Sequence, residues 1–185
     1  MGFRRRQERR EERHEERGLG AAVANSGDHC YQMRQKIAAI GDDFWIENGH
    51  GEKVYKINGK ALRLRQTLIV EDRGGQALFK IQERMARIRD IMEIEGANGN
   101  RVALVRKAMI TPLRDRWSVD IPGAHDLEVH GNLLNHEYRI GHVAEVSKKW
   151  FRIADSYGIE IEPGQNDALI LTVTVAIDMM AHEGR

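Results

Sequence analysis

Basic side chains form two short groups of the kind that binds phosphate. The first group consists of Lys60, Arg63 and Arg65. Arg63 and Arg65 alternate with leucines, so both guanidinium groups are predicted on the outer face of one strand. Guanidinium forks and ammonium groups hold phosphate oxygens well, although a solvated strand face is the commoner reason for this pattern. A second group, in a predicted connection between strands, consists of Arg84, Arg87 and Arg89.

Four histidines fall within eighteen residues and raise the question of a metal site. They are His125, His130, His136 and His142. The carboxylates nearby in the sequence are Asp126, Glu128 and Glu137. Their spacing matches neither a metalloprotease helix nor a structural zinc motif. We therefore interpret them as surface histidines on adjacent hairpins and expect no metal and no cofactor.

The sequence offers little support for catalysis or for calcium binding. It lacks a nucleophile elbow, a phosphate-binding P-loop and a dinucleotide-binding glycine motif, so we expect no enzyme. Cys30 is the only cysteine and has no obvious histidine partner, which suggests an ordinary thiol. Residues 155–160 lack the alternating Asp and Asn ligands of an EF-hand loop and are interpreted as the end of a hairpin.

Short alternating segments separated by turn residues recur from Cys30 to Ile161. They give about twelve strands at spacings of roughly 8–12 residues, without the intervening helices of a parallel sheet. The pattern predicts a mainly β protein, as an antiparallel barrel or sandwich. The pair Asn58-Gly59 is a strong hairpin signal, so we predict a turn there and a following strand that carries Leu62 to Val70.

Residues 168–181 are the most apolar segment of the chain. The first ten of them carry no charge, and the segment spans about 21 Å as a helix, short of the ~20 residues that cross a bilayer. Its β-branched residues would also suit a strand. Because a barrel of about twelve strands is too wide for its own side chains to fill, we predict a helix over about 165–182 inside the lumen. The predicted core residues of this helix are Leu169, Ile170, Leu171, Val173, Val175, Ile177, Asp178 and Met180.

Asp178 is the one acidic residue inside this apolar segment. A buried carboxylate needs a hydrogen-bonding or cationic partner, or it stays protonated. We therefore predict a structural role, in which Asp178 sets the depth of the helix in the lumen. At the other end of the helix, Asn166 or Asp167 is predicted to provide the N-terminal cap.

The N-terminal segment differs in composition from the rest of the chain. Residues 1–17 contain seven arginines and five glutamates, and a small, polar linker follows to residue 27. We predict a solvated arm over 1–27 and a folded domain over 28–185, with the arm as a solubilising tail or a docking segment for a protein partner.

The net charge of the chain is only +1, so nucleic acid is not an expected partner. No apolar segment follows the basic start, which favours a cytoplasmic protein that is not integral to a membrane.

The order of many weak motifs resembles the LURP-one-related family, which lies in the tubby C-terminal-like superfamily with the phospholipid scramblases. The segments that carry the resemblance are 31–36, 43–46, 51–60, 78–81, 157–161, Pro163 and 168–180. The resemblance implies a twelve-stranded closed barrel around a hydrophobic C-terminal helix. Tubby relatives bind phosphoinositide headgroups through basic residues, and scramblase relatives are associated with calcium and lipid movement.

The resemblance therefore implies a non-enzymatic barrel that binds phosphoinositide or other anionic phospholipid at the membrane surface. The candidate headgroup ligands Lys60, Arg63 and Arg65 come from the residue pattern and not from the resemblance, because they cannot be aligned position by position with the tubby headgroup site. Fold kinship alone is only an analogy for function. Two alternatives stay open. One is a protein-interaction adaptor that uses residues 1–27, and the other is a carrier of a small ligand, or an enzyme, with a pocket at the barrel mouth.

Overall fold

The computed structural model describes residues 29–34, 43–62, 67–83, 91–111, 114–150 and 156–182. Within these residues, twelve strands close into one antiparallel barrel in which each strand pairs with its neighbours in the sequence and β1 pairs with β12. The strands are β1 Cys30–Arg34, β2 Phe44–Asn48, β3 Lys53–Leu62, β4 Thr67–Asp72, β5 Ala77–Glu83, β6 Ile91–Gly96, β7 Arg101–Thr111, β8 Arg114–Asp120, β9 Leu127–Asn132, β10 Glu137–Ile140, β11 Ala144–Ser147 and β12 Ser156–Ile161.

The barrel forms because alternating apolar residues turn one face of each strand inward. In β6, for example, Met92 and Ile94 are fully buried while Glu93 between them is only partly buried. Every second side chain of a strand therefore lines the lumen, because successive side chains point to opposite faces of a sheet. The prediction of a closed antiparallel barrel of about twelve strands around a helix is confirmed.

The helix α1, Asp167–His182, fills the lumen. All its residues from Ile170 to Met180 are buried, and Leu169 in the first turn is partly buried. The two threonines buried in the helix have their hydroxyl groups hydrogen-bonded. Thr172 donates to the carbonyl of Ala168 at 2.6 Å, and Thr174 donates to the carbonyl of Ile170 at 3.0 Å. Asn166 caps the helix, since its side-chain oxygen accepts from the backbone N–H of Leu169 at 3.1 Å.

The barrel has two unlike ends, which we call proximal and distal. At the proximal end α1 begins, and the strands are joined by the hairpin turns 49–52, 73–76, 97–100, 121–126 and 141–143. At the distal end α1 finishes beside two short 3₁₀ turns, η1 Leu133–Asn135 and η2 Lys148–Trp150. No helix in the described part of the chain reaches the length and apolar character that a bilayer crossing requires.

The predicted turn at Asn58-Gly59 is wrong. Both residues lie inside β3, where Asn58 pairs with Ile69 of β4 and Gly59 is buried. Leu62 closes β3 and Thr67 opens β4, so Leu62 and Val70 do not share one strand. The Asn58 side chain instead donates to Glu71 across the sheet at 3.1 Å, and the pairing shifts register between Asn58 and Leu62. The pair Asn58-Gly59, which is typical of a tight turn, thus lies here at an irregularity within a long strand.

Candidate functional site

A buried polar cluster lies in the distal half of the lumen, around Asp178 of α1. The hydroxyl of Tyr157 in β12 donates to Oδ2 of Asp178 at 2.5 Å, and Nδ1 of His136 lies 3.2 Å from Oδ1. Asp178 and His136 are each 2% exposed, and Tyr157 is fully buried. A carboxylate so far from water is costly unless partners like these replace its hydration. The cluster therefore joins the last turns of the helix to the barrel wall.

His136 reaches this position through an unusual backbone conformation. It follows η1 with φ of 51°, in the left-handed region, and its backbone N–H donates to the carbonyl of Leu133 at 3.1 Å. Its ring stacks on that of Tyr157, with centroids 4.2 Å apart and planes 12° from parallel. A left-handed residue other than glycine is maintained only where its surroundings fix it, and here the stack and Asp178 do so.

Two tyrosines of the cluster keep their protons over a wide pH range. Burial raises the pKa of Tyr138 well above its ordinary value, and the charge of Asp178 raises it further. Burial likewise raises the pKa of Tyr157, with Asp178 and Tyr138 as additional causes. Tyr157 is therefore a hydrogen-bond donor to Asp178. The Tyr138 hydroxyl has no hydrogen-bond partner among the described residues.

A second polar cluster ties the proximal end of the helix to β1. Asp167 Oδ2 accepts from the Tyr31 hydroxyl at 2.5 Å and lies 2.7 Å from Nδ1 of His29. Partial burial raises the pKa of Tyr55, and the charge of Asp167 raises it further. The Tyr55 ring lies 6.5 Å from that of Tyr31. The clusters at Asp167 and Asp178 thus hold the helix near both of its ends.

The other histidines lie on the surface, as predicted, but His136 does not. His125 and His142 are exposed. The His130 side chain is 72% exposed, and its Nε2 lies 3.1 Å from Oε2 of Glu128. Arg116 beside Glu128 lowers the pKa of that carboxyl. No group of three or more metal-binding side chains occurs within the residues that the structure describes. Sequence alternation missed His136 because a 3₁₀ turn, not a strand, carries it inward.

The basic groups singled out in the sequence are only partly placed. Lys60 lies near the distal end of β3, but Arg63 and Arg65 lie outside the described residues. The same is true of Arg84, Arg87 and Arg89 and of the arm over residues 1–27. The described basic residues at the distal end include Lys148 and Lys149 of η2, and 80% of the Lys149 side chain is exposed.

The sequences that connect the strands differ in charge between the two ends of the barrel. The strands that meet at the distal end are joined by segments 35–43, 63–66, 84–90, 112–113, 133–136 and 148–155. By sequence these segments contain nine Lys or Arg and four Asp or Glu residues. The proximal connections, including 162–166, contain three acidic residues and one arginine, namely Glu52, Asp126, Glu162 and Arg73. By sequence, the connections between strands on the distal side are thus net basic and those on the proximal side net acidic; of the distal charges, Lys148, Lys149 and Asp43 lie among the described residues.

Two of three comparisons with known proteins returned a match. Residues 29–178 match the LURP-one-related family. A crystal structure of a protein from Arabidopsis thaliana is similar at 17% sequence identity, over 71% of this chain and 90% of that one, with a TM-score of 0.38. No curated protein matches the chain. Because the family match extends from the residue before β1 to Asp178 in α1, the chain belongs to the LURP-one-related family.

Proposed function

We propose that this barrel is a non-enzymatic module that binds anionic phospholipid headgroups, phosphoinositides among them, with its distal end against the membrane. The difference in charge between the connecting sequences at the two ends supports the proposal. A surface of anionic lipid attracts clustered Lys and Arg residues, each by about 1 kcal/mol, and repels carboxylates. The distal end would therefore face the bilayer and the proximal end would face away from it.

The arrangement of the buried cluster supports a binding role over a catalytic one. His136, Asp178 and Tyr157 are the residue types that proton-transfer chemistry uses, yet each is 2% exposed or less. A substrate has no access to groups buried in this way. Their contacts join helix to barrel, and Lys149 is exposed on the same end.

The headgroup ligands that we propose are Lys60, Arg63 and Arg65. The described part of β3 supports this choice, because Lys60 lies three positions before Arg63 near the distal end of the strand. Arginine forks would grip phosphate oxygens in pairs, while a lysine contributes a point charge. Lys148 and Lys149 would add attraction from the other side of the same end.

Co-sedimentation with liposomes tests this function. Vesicles with and without a few per cent of phosphoinositide are compared at low and physiological salt, using the full chain and the double variant Arg63→Ala/Arg65→Ala. We expect phosphoinositide-dependent pelleting that weakens with salt, and a loss of roughly fivefold in affinity for each arginine removed.

Arg73→Ala is the matched control, because Arg73 is an exposed arginine at the proximal end, 3.0 Å from Glu52. It should pellet as the full chain does. Loss of binding only in a chain without residues 1–27 would transfer the function to the arm and favour the adaptor alternative. Absence of pelleting under every condition would refute the lipid proposal.

A further inference from the structure

Two apolar side chains at the distal end, Leu134 and Trp150, are not buried in the core. Leu134 of η1 is 45% exposed and is the one large hydrophobic residue that is exposed among the described residues. Trp150 closes η2 and is only partly buried, directly after Lys148 and Lys149. Single exposed apolar residues are ordinary on protein surfaces, so their position and neighbours decide what they mean.

The two 3₁₀ turns lie side by side. η1 joins β9 to β10 and η2 follows β11, and β10 pairs with both β9 and β11. The Glu137 carboxylate, just after η1, accepts from the Ser147 hydroxyl at 3.0 Å and from the backbone N–H of Lys148 at 3.1 Å. This carboxylate therefore links the start of β10 to the start of η2.

Each turn is also held firmly to the barrel. The Asn132 side chain accepts from the backbone N–H of Asn135 at 3.1 Å, and His136 anchors the end of η1 to Asp178. In η2, the backbone N–H of Lys149 donates to the Ser147 hydroxyl at 3.2 Å. Because the turns are braced in this way, Leu134 and Trp150 are presented with little conformational entropy left to lose on binding.

We infer that Leu134 and Trp150 insert into the interfacial region of an anionic bilayer, so that the distal end binds by shallow apolar insertion as well as by charge. This inference rests on the proposed function. Tryptophan is favoured where lipid headgroups meet acyl chains, because its ring is apolar and its indole N–H is polar. Lys148 and the exposed Lys149, whose Nζ lies 3.8 Å from Glu137 Oε2, supply positive charge next to it, and this charge favours an anionic membrane as the partner.

Fluorescence of the full chain with vesicles tests the insertion. Phosphatidylcholine vesicles with and without phosphatidylserine carry bromine atoms on the acyl chains near the headgroups, where they quench inserted tryptophan. The chain has three tryptophans, and we expect quenching on anionic vesicles that is lost in Trp150→Phe. Equal quenching in Trp150→Phe would refute insertion of this side chain.

Affinity gives the second readout. Leu134→Ser should weaken vesicle binding by about fivefold to tenfold without changing its dependence on salt, because it removes apolar burial only. Lys148→Ala/Lys149→Ala should flatten the salt dependence. Asn135→Ser, an exposed polar change on the same turn, is the control and should bind normally.

The outcomes separate the two proposals. If the unmodified chain binds no anionic vesicle, the proposed function and the insertion both fail. If it binds with salt sensitivity but Leu134→Ser binds equally well and Trp150 is not quenched, only the insertion fails, and the distal end acts by charge alone.

Discussion

The buried carboxylate of Asp178 shows how one residue can join two parts of a fold. It lies on the helix, while Tyr157 and His136 come from the barrel wall and from a distal turn. Each of these partners would lose its counterpart if the carboxylate were removed. An unsatisfied buried polar group costs more than the hydrogen bond contributed, and this asymmetry makes the site sensitive to truncation.

Asp178→Ala should therefore lower the free energy of unfolding by about 2–3 kcal/mol, because it leaves the buried Tyr157 hydroxyl with only the weak thioether acceptor Met33 Sδ, at 3.0 Å. Asp178→Asn retains an acceptor oxygen at the same place and should lose less than half as much. Chemical denaturation measures both, with Asp126→Ala on the exposed 121–126 turn as control. An Asp178→Ala protein as stable as the parent would rule out a structural role for the carboxylate.

The tyrosines give a pH dependence whose sign follows from burial. The pKa of Tyr138 and that of Tyr157 are raised in the folded state, so their contribution to stability is complete below the unfolded tyrosine pKa of ~10. Above that pH the unfolded chain loses protons that the folded chain retains, and stability falls until the folded pKa values are passed.

Absorbance at 295 nm follows tyrosine ionisation directly. About one pH unit above the ordinary tyrosine pKa of ~10, the folded protein should show the ionisation of at most two of its four tyrosines. The remaining signal should appear together with unfolding, as followed by circular dichroism. Ionisation of all four tyrosines while the barrel stays folded would contradict the burial of Tyr138 and Tyr157.

At the scale of elements, the antiparallel pairing of β9 with β10 depends on a glycine. Gly131 has φ of +131°, and a Cβ built there would lie 2.6 Å from the Cα of Tyr138 and even nearer to the carbonyl oxygen of Glu137. Both atoms belong to the backbone of β10, so the strand itself must move to admit a methyl group. Such a movement would disturb the wall that carries Tyr138 and the start of the link to η2.

Gly131→Ala should thus destabilise the fold by about 3 kcal/mol or more, from backbone strain together with displacement of β10. Gly123→Ala is the matched control, because Gly123 also has a positive φ, +82°, but has open space where the Cβ would be. It should cost only the ~1–2 kcal/mol of a left-handed residue. Equal losses in thermal unfolding would show that φ alone, and not the approach of β10, demands glycine at position 131.

At the scale of the molecule, the barrel is closed by β1, which begins one residue after the first described residue, His29. Five residue pairs between Cys30–Arg34 and β12 complete it, and the family match begins at residue 29. The charged arm over 1–27 precedes all of these elements. We propose that the arm is a separate segment and that the domain over 28–185 is the folding unit.

A chain that begins at residue 28 should accordingly unfold at the same temperature as the full chain. Differential scanning calorimetry of the two proteins at equal ionic strength makes the comparison, because salt screens any exposed attraction between arm and barrel. A lower transition temperature for the shorter chain would mean that the arm packs on the barrel. Retained stability with loss of a bound protein partner would favour the adaptor alternative.

Much of the architecture could be predicted because it depends on local periodicity and on volume. Alternating residues such as Met92 and Ile94 turn one face of a strand inward wherever that strand lies. The helix prediction needed one further step, because residues 168–181 also suit a strand. The width of a lumen bounded by about twelve strands made a helix the only element that fills it.

The errors arose where a local signal competes with long-range pairing. Asn58 and Gly59 favour a tight turn, yet β4 holds them within β3 through the pairing of Asn58 with Ile69. His136 follows turn residues and alternates with nothing, so no pattern indicates its burial. Its place became evident only from the stack on Tyr157 and from its distance to Asp178.

By itself the sequence determined the apolar helix and most of the strands and hairpins, though not the boundary between β3 and β4, because these follow from spacing along the chain. The tertiary structure alone decided which groups meet, since Asp178, Tyr157 and His136 lie far apart in the sequence and come together only when the barrel closes on the helix. It also decided which connections share one end, because antiparallel strands in a closed barrel return each alternate connection to the same side.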